Sequence, residues 1–138
     1  MRTVLLTVGK AKAPFAEADA HYLRLLDRYQ PVELVEARDD EALVSRLPAE
    51  GRVTAIDARG RAMGSEEWAG WLQERRLEAR DLYLLLGGPR GLPRAALERA
   101  DDVISLGPQT LAHQLARVVV LEQLFRAAKI AAGEPYHY

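Results

Sequence analysis

Cysteine is absent from the 138-residue sequence, which excludes disulfides, thiolate metal sites and a cysteine nucleophile and agrees with a reducing compartment. Histidine is scarce: three residues are too few to suggest a zinc site, and no metal is expected. Long apolar runs are missing too, so no segment reads as a membrane span, and no charged-then-apolar export signal precedes the first strand-like run. A soluble cytoplasmic protein is the expectation. Neither sign of charge is in excess; a formal net charge of −1 leaves no global basic field, so any contact with nucleic acid must be a local patch. Two phosphate-binding signatures are also lacking. Gly87, Gly88 and Gly91 spell GGxxG, not GxGxxG, and no GxxxxGK(S/T) occurs, which disfavours an α/β enzyme built on nucleotide phosphates.

What is present suits one domain spanning 1–138 with a real hydrophobic core. Thr3 to Val8 reads as a buried strand, and Pro14 opens a helix whose apolar residues Ala18, Tyr22, Leu25, Leu26 and Tyr29 recur at helical spacing before Pro31 ends it. Val32 to Ala37 suggests a second strand; Asp40 caps a short helix through Leu47, and Pro48 stops it. Val53 to Asp57 is predicted as the third strand and Ala58 to Gly64 as a polar loop. A helix follows, with Ser65 as its cap and Glu66 and Glu67 in its first turn. Leu82 to Leu86 is a fourth strand, Pro93 opens a short helix reaching Ala100, and Val103 to Leu106 is a fifth strand. In the last helix Leu115, Val118, Leu121, Leu124, Phe125 and Ala128 form an apolar stripe that ends near Gly133. Trp68 and Trp71 read as helix packing. Strands alternating with helices imply an α/β fold with a largely parallel sheet covered on both faces.

In such sheets ligands sit beyond the carboxyl ends of the strands, which nominates three segments: Ile56-Asp57, Gly87 to Gly91, and Gly107 to Ala112. The junction of Leu82 to Leu86 with Gly87-Gly88-Pro89 either brings bare backbone up to a ligand or is simply a tight turn. Asp57 either accepts from a ribose or anchors its own loop. His113, in the first turn of the last helix, suits a hydrogen-bonding or proton-accepting role, against the plain reading of a structural histidine; Arg117 lies one turn further along the same face, with Glu122 beyond. The aromatic tail Pro135-Tyr136-His137-Tyr138 stacks on a base, packs against a partner subunit or fills a groove on its own domain.

Several of these segments, taken together, resemble one family. They are Leu84 to Leu92 (LLLGGPRGL), Ser105-Leu106, Thr110 to Val118 (TLAHQLARV), Glu122 to Ala127 (EQLFRA) and Pro135-Tyr136-His137, with looser agreement at Val8-Gly9-Lys10, Tyr22-Leu23 and Val53 to Asp57 before Gly60. The pattern is similar to the bacterial large-subunit ribosomal RNA methyltransferase H family, within the SPOUT superfamily of knotted methyltransferases, and covers essentially the whole chain. Two positions depart from it: Tyr138 stands where members continue with a basic residue, and Gln114 stands where a proline is expected.

The resemblance implies a C-terminal trefoil knot, an obligate homodimer and S-adenosylmethionine as methyl donor. The donor would contact Ile56 beside Asp57, Gly87 and Gly88, and Gly107, Pro108, Gln109, Thr110, Leu111 and Ala112. The implied substrate is N3 of a pseudouridine in helix 69 of 23S rRNA, presented by the assembled ribosome and approached through basic side chains such as Arg117 and Arg126. Transfer needs the nitrogen deprotonated and held in line with the S-methyl bond; His113 and Arg117 at the pocket, with Tyr136 and His137 from the tail, are the candidates for catalysis. The competing expectations are a non-catalytic ribosome-binding module of the same fold, a methyltransferase for another RNA such as tRNA, and an unrelated nucleotide-binding enzyme.

Overall fold

The computed structural model describes residues 1–136. Along them run β1 (Thr3–Val8), α1 (Phe15–Leu26), β2 (Val32–Ala37), α2 (Asp40–Ser45), β3 (Arg52–Ala62), α3 (Ser65–Leu77), β4 (Leu82–Leu86), α4 (Arg94–Arg99), β5 (Asp102–Ser105) and α5 (His113–Ala131). The strands form one five-stranded sheet in the order β2-β1-β4-β3-β5, and every pairing is parallel.

β4 lies at the centre because its sequence is apolar on both faces; Leu82, Leu84 and Leu85 are each 0% exposed. Residues of even and odd parity serve different layers, as the period of two requires. Leu5, Leu82, Leu84 and Leu86 pack with α1, α3 and α5, around Leu26, Trp68, Leu72, Leu121 and Leu124. Val4, Leu6, Val53 and Leu85 face Leu43 of α2 and Ala96 of α4. Each fully buried leucine contributes about 1.5–3 kcal/mol, so the three-layer arrangement is held chiefly by these two apolar sets. α5 packs against both α1 and α3. Trp68 and Trp71 are buried and meet edge to face at 6.0 Å between ring centroids, as packing residues.

Several local boundaries differ from the sequence reading. β3 does not stop at Asp57: it continues to Ala62 through a register shift in which Ile56 and then Arg61 both pair with Ile104 of β5. Residues 57–60 bulge out between these pairings, so their polar character is that of an edge, not a loop. Gly60 is required there, since a Cβ would lie 2.7 Å from the backbone of Ile104. Asp39, not Asp40, caps α2, accepting from the Ala42 amide at 2.8 Å, and the helix ends at Ser45, short of Leu47. Gly64 precedes α3, its amide donating to Glu67 Oε1 at 3.1 Å, while Ser65 is already helical and its hydroxyl bonds Gln123 Oε1 of α5 at 2.9 Å. Tyr29 lies beyond the end of α1, and β5 begins one residue earlier than expected. On α5, Leu115 is 41% exposed, and Ala116 and Arg117 take the buried places in that turn.

Candidate active site

Because β3 sits between β4 and β5 and all run the same way, the chain leaves their carboxyl ends side by side. Three segments form one open cleft: Ile56, Asp57 and Ala58 at the register shift within β3, Leu86 to Pro89 and Gly91 at the end of β4, and Ser105, Leu106, Gly107, Gln109, Thr110 and Leu111 at the end of β5, closed by His113 and Ala116 of α5. The nominated segments therefore converge. Pro108 and Ala112 complete the third segment without lining the cleft; Ala112 is the residue from which α5 starts. Leu86, Leu106 and Ala116 line it as well, yet are missing from the sequence-based candidates, because an apolar residue at a strand end or helix face carries no signal that separates it from core; Ser105, also missing, has its hydroxyl turned to its own chain at Gly107.

The glycine loop is both a tight turn and a wall of the cleft. Gly91 has φ +81° and donates its amide to Gly88 O at 3.0 Å. A Cβ on Gly87 would collide with the backbone of Gly91 and Leu92, whereas one on Gly88 would meet only Val8 Cγ1 at 3.5 Å. After β5, Gly107 has φ +118°, and Ser105 Oγ both accepts from its amide at 3.0 Å and donates to its carbonyl at 3.1 Å. This hydroxyl fixes the turn that carries the 107–112 segment.

Asp57 anchors its own bulge. Its carboxylate accepts from the Arg59 amide and from Arg59 Nε, each at 2.9 Å, and these bonds hold it below the usual carboxylate range. His113 stands half-buried at the cleft, in the first turn of α5. Its neighbour Gln114 turns to the β1–α1 connection and accepts from the Lys12 amide at 2.9 Å.

Arg117 is placed differently from the expectation. It is 1% exposed and absent from the cleft lining; Nη1 donates to Glu36 Oε2 at 2.6 Å and Nη2 to Gly9 O at 3.0 Å. So buried a guanidinium offers no surface to RNA, and in this chain it ties the end of β1 to β2 and α5. Asp19 of α1 lies behind it, 2% exposed, with Oδ2 at 3.9 Å from Arg117 Nη1 and neither oxygen hydrogen-bonded. Burial pushes the Asp19 carboxyl up to about 6, with Arg117 opposing the rise and Glu36 adding to it.

The tail folds back on its own domain. Tyr136 meets Phe125 edge to face at 5.3 Å, and the Arg126 guanidinium lies 4.2 Å from the tyrosine ring centre. Upstream, Glu134 accepts from Tyr29 OH at 3.0 Å and from Lys129 Nζ at 3.1 Å. Tyr136 is not among the residues that line the cleft of the same chain. His137, the other tail candidate, lies outside the described residues. Among the described residues there is no cluster of metal-ligating side chains and no helix long and apolar enough to cross a membrane.

Comparison with known proteins agrees with this architecture. Solved structures of a probable methyltransferase from Bordetella pertussis (TM-score 0.61, 17% identity, covering 92% of this chain and 96% of that one) and of a probable methylase family protein from Haemophilus influenzae (TM-score 0.60, 14% identity, 99% and 70%) share the fold. Curated relatives named ribosomal RNA large subunit methyltransferase H include proteins from Gemmatimonas aurantiaca, 40% identical over 99% of both chains, and Rubrobacter xylanophilus, 43% identical over 99% of this chain and 98% of the relative. A family model described as "Predicted SPOUT methyltransferase" matches residues 1–137. Matched over nearly its whole length in this way, the chain belongs to the SPOUT methyltransferase family.

Proposed function

We propose that this chain is an S-adenosylmethionine-dependent methyltransferase of large-subunit ribosomal RNA, acting as a homodimer on N3 of a pseudouridine in helix 69 of the assembled ribosome. The observation that carries this reading is the make-up of the cleft. Its lining is apolar at Ile56, Leu86, Leu106, Leu111 and Ala116, exposes backbone at Gly88 and Gly107 beside the buried Gly87, and contains no arginine or lysine. Such a wall suits a flat adenosine without phosphates, recognised through main-chain amides and carbonyls, and gives a positively charged sulfonium no repelling neighbour. When bound, the donor supplies an activated methyl group.

The chain's own residues then have three tasks. The 107–112 segment and the glycine loop orient the donor, and their fixed turns reduce the entropy lost on binding. His113, at the mouth of the helix, accepts the N3 proton of the incoming base; the pyrimidine imide is a weak acid and becomes a good nucleophile only as its anion. Holding that nitrogen in a fixed orientation at the cleft would supply much of the rate.

Tyr136 and His137 remain candidates through the dimer. Since Tyr136 packs on Phe125 and does not line the cleft of its own chain, a tail would serve the cleft of the other protomer. The proposed trefoil knot would involve the β5–α5 connection: β5 is an edge strand beside β3, α5 packs against both α1 and α3, and Leu106 to Leu111 line the cleft together with Ile56 to Ala58.

Transfer of labelled methyl from S-adenosylmethionine to ribosomes lacking the helix 69 mark, with mass mapping of the product, tests the proposal. Label on that nucleotide supports it. Binding of the donor without transfer to any ribosomal RNA would leave a non-catalytic ribosome-binding module, and label elsewhere would move the substrate.

A further inference from the structure

The β1–α1 connection, residues 9–14, is exposed, yet three side chains lock its backbone. The Ala11 amide donates to Glu36 Oε2 at 2.6 Å, the Lys12 amide to Gln114 Oε1 at 2.9 Å, and the Gly9 carbonyl accepts from Arg117 at 3.0 Å. The segment adjoins the glycine loop directly, because Thr7 of β1 pairs with Leu86 of β4 and Val8 borders Gly88. It presents Lys10 and Lys12 to solvent, and the neighbouring loop presents Arg90. We propose that Lys10, Lys12 and Arg90 form a phosphate-contacting rim by which the cleft holds the backbone of its RNA substrate. This rests on the methyltransferase reading and adds to it the route by which RNA reaches the site.

Three observations point the same way. Other basic residues at this edge are neutralised: Arg38 by Asp39 at 3.5 Å, Arg59 by Asp57 at 2.9 Å and Arg94 by Glu98 at 2.8 Å. Lys10, Lys12 and Arg90 have no ion pair or hydrogen bond from their side chains among the described residues, so their full charge is available in a chain of net −1. The backbone under the lysines is held by hydrogen bonds while their side chains reach into solvent, an arrangement suited to holding a phosphate chain in position without reading its sequence. Finally, Asp39, Asp40 and Glu41 flank Val8 on the β2 side; they repel a polyanion there and direct it across β1, β4 and β3, over the cleft. A protein partner would need an apolar centre, and the exposed apolar residues Met1, Leu77 and Ile130 belong to the opposite edge, leaving Leu115 alone nearby.

The test is the salt dependence of methyl transfer to ribosomes. The triple variant Lys10→Gln, Lys12→Gln, Arg90→Gln is compared with wild type and with Arg24→Gln, Arg46→Gln, which removes exposed charge at the far ends of α1 and α2. At about 0.15 M salt we expect kcat/KM to fall at least about tenfold in the triple variant, and the slope of log kcat/KM against log salt to become shallower by about 2, as for three lost contacts to single-stranded phosphates. The control variant should stay within about twofold of wild type, and affinity for S-adenosylmethionine should be the same in all three. An unchanged slope in the triple variant overturns the rim. If wild type itself transfers no methyl group, the functional reading fails, and the rim is judged on binding to a helix 69 RNA fragment: a slope shallower by the same amount upholds it, and an equal slope ends it.

Discussion

The Arg117 guanidinium and the Glu36 carboxylate meet at 2.6 Å beneath the β1–α1 connection, with the arginine side chain 2% and the glutamate side chain 29% exposed. Breaking a pair this buried leaves one charge without its partner and costs about 3–5 kcal/mol. Arg117→Met should therefore lower the urea midpoint by the equivalent of about 3 kcal/mol and speed hydrogen exchange at the Ala11 and Lys12 amides. Exchange as slow as in wild type would mean that the segment is held by something else.

Asp19 should make stability fall as pH rises through 6. Its folded-state carboxyl is pushed up to about 6, above the ordinary aspartate range, so folding takes up a proton in between. The contribution is fully present at pH below that ordinary range and is lost on passing pH 6. Asp19→Asn removes the penalty. Thermal melting of the two proteins should agree at about pH 3, below the ordinary aspartate range, and diverge by about pH 7.5, with the asparagine variant higher, and parallel curves would refute the assignment.

The two leading glycines of the loop should differ sharply. Gly87→Ala forces a Cβ into the backbone of Gly91 and Leu92, whereas Gly88→Ala makes only ordinary contact with Val8. We expect Gly87→Ala to weaken S-adenosylmethionine binding at least about thirtyfold by calorimetry, and Gly88→Ala less than about fivefold, with a bulkier side chain at Gly88 closing the cleft by its size. Equal losses in the two alanine variants would place the donor elsewhere.

His113→Ala should slow single-turnover methyl transfer by about a hundredfold or more, the usual contribution of a positioned base, while donor affinity changes only a few-fold. A rate that falls only in proportion to donor affinity would make His113 a wall of the pocket and nothing more.

Much of this was legible in the sequence. Leu82 to Leu86 reads as a doubly buried strand because apolar residues fill both parities, and the three strand-end segments that meet at the cleft follow from the rule for parallel sheets. Strand order is different in kind: nothing in the residues of β4 says that β1 and β3 flank it, since pairing is a property of the whole packing. The extension of β3 past Asp57 was hidden by its polar bulge, and the true fate of Arg117 by its periodicity, which places it on the face of His113 without revealing that Glu36, 81 residues away in sequence, waits to bind it. Gln114 stands where the family pattern has a proline, and its side chain supplies an acceptor to the Lys12 amide that proline lacks.

The central position of β4 also sets the order in which the molecule can be made. During synthesis the N-terminal β1–β2 pair emerges first, and β3 emerges with no neighbour to bond, because the strand that joins it to β1 has still to be translated. Only when Leu86 has appeared can the two halves of the sheet close on one another, and the cleft has no closing wall until His113 follows. A nascent chain stalled before that point exposes unpaired strand edges and bare apolar faces, so a burst of translation pauses after β3 should yield aggregate, whereas the same pauses after α5 should be harmless.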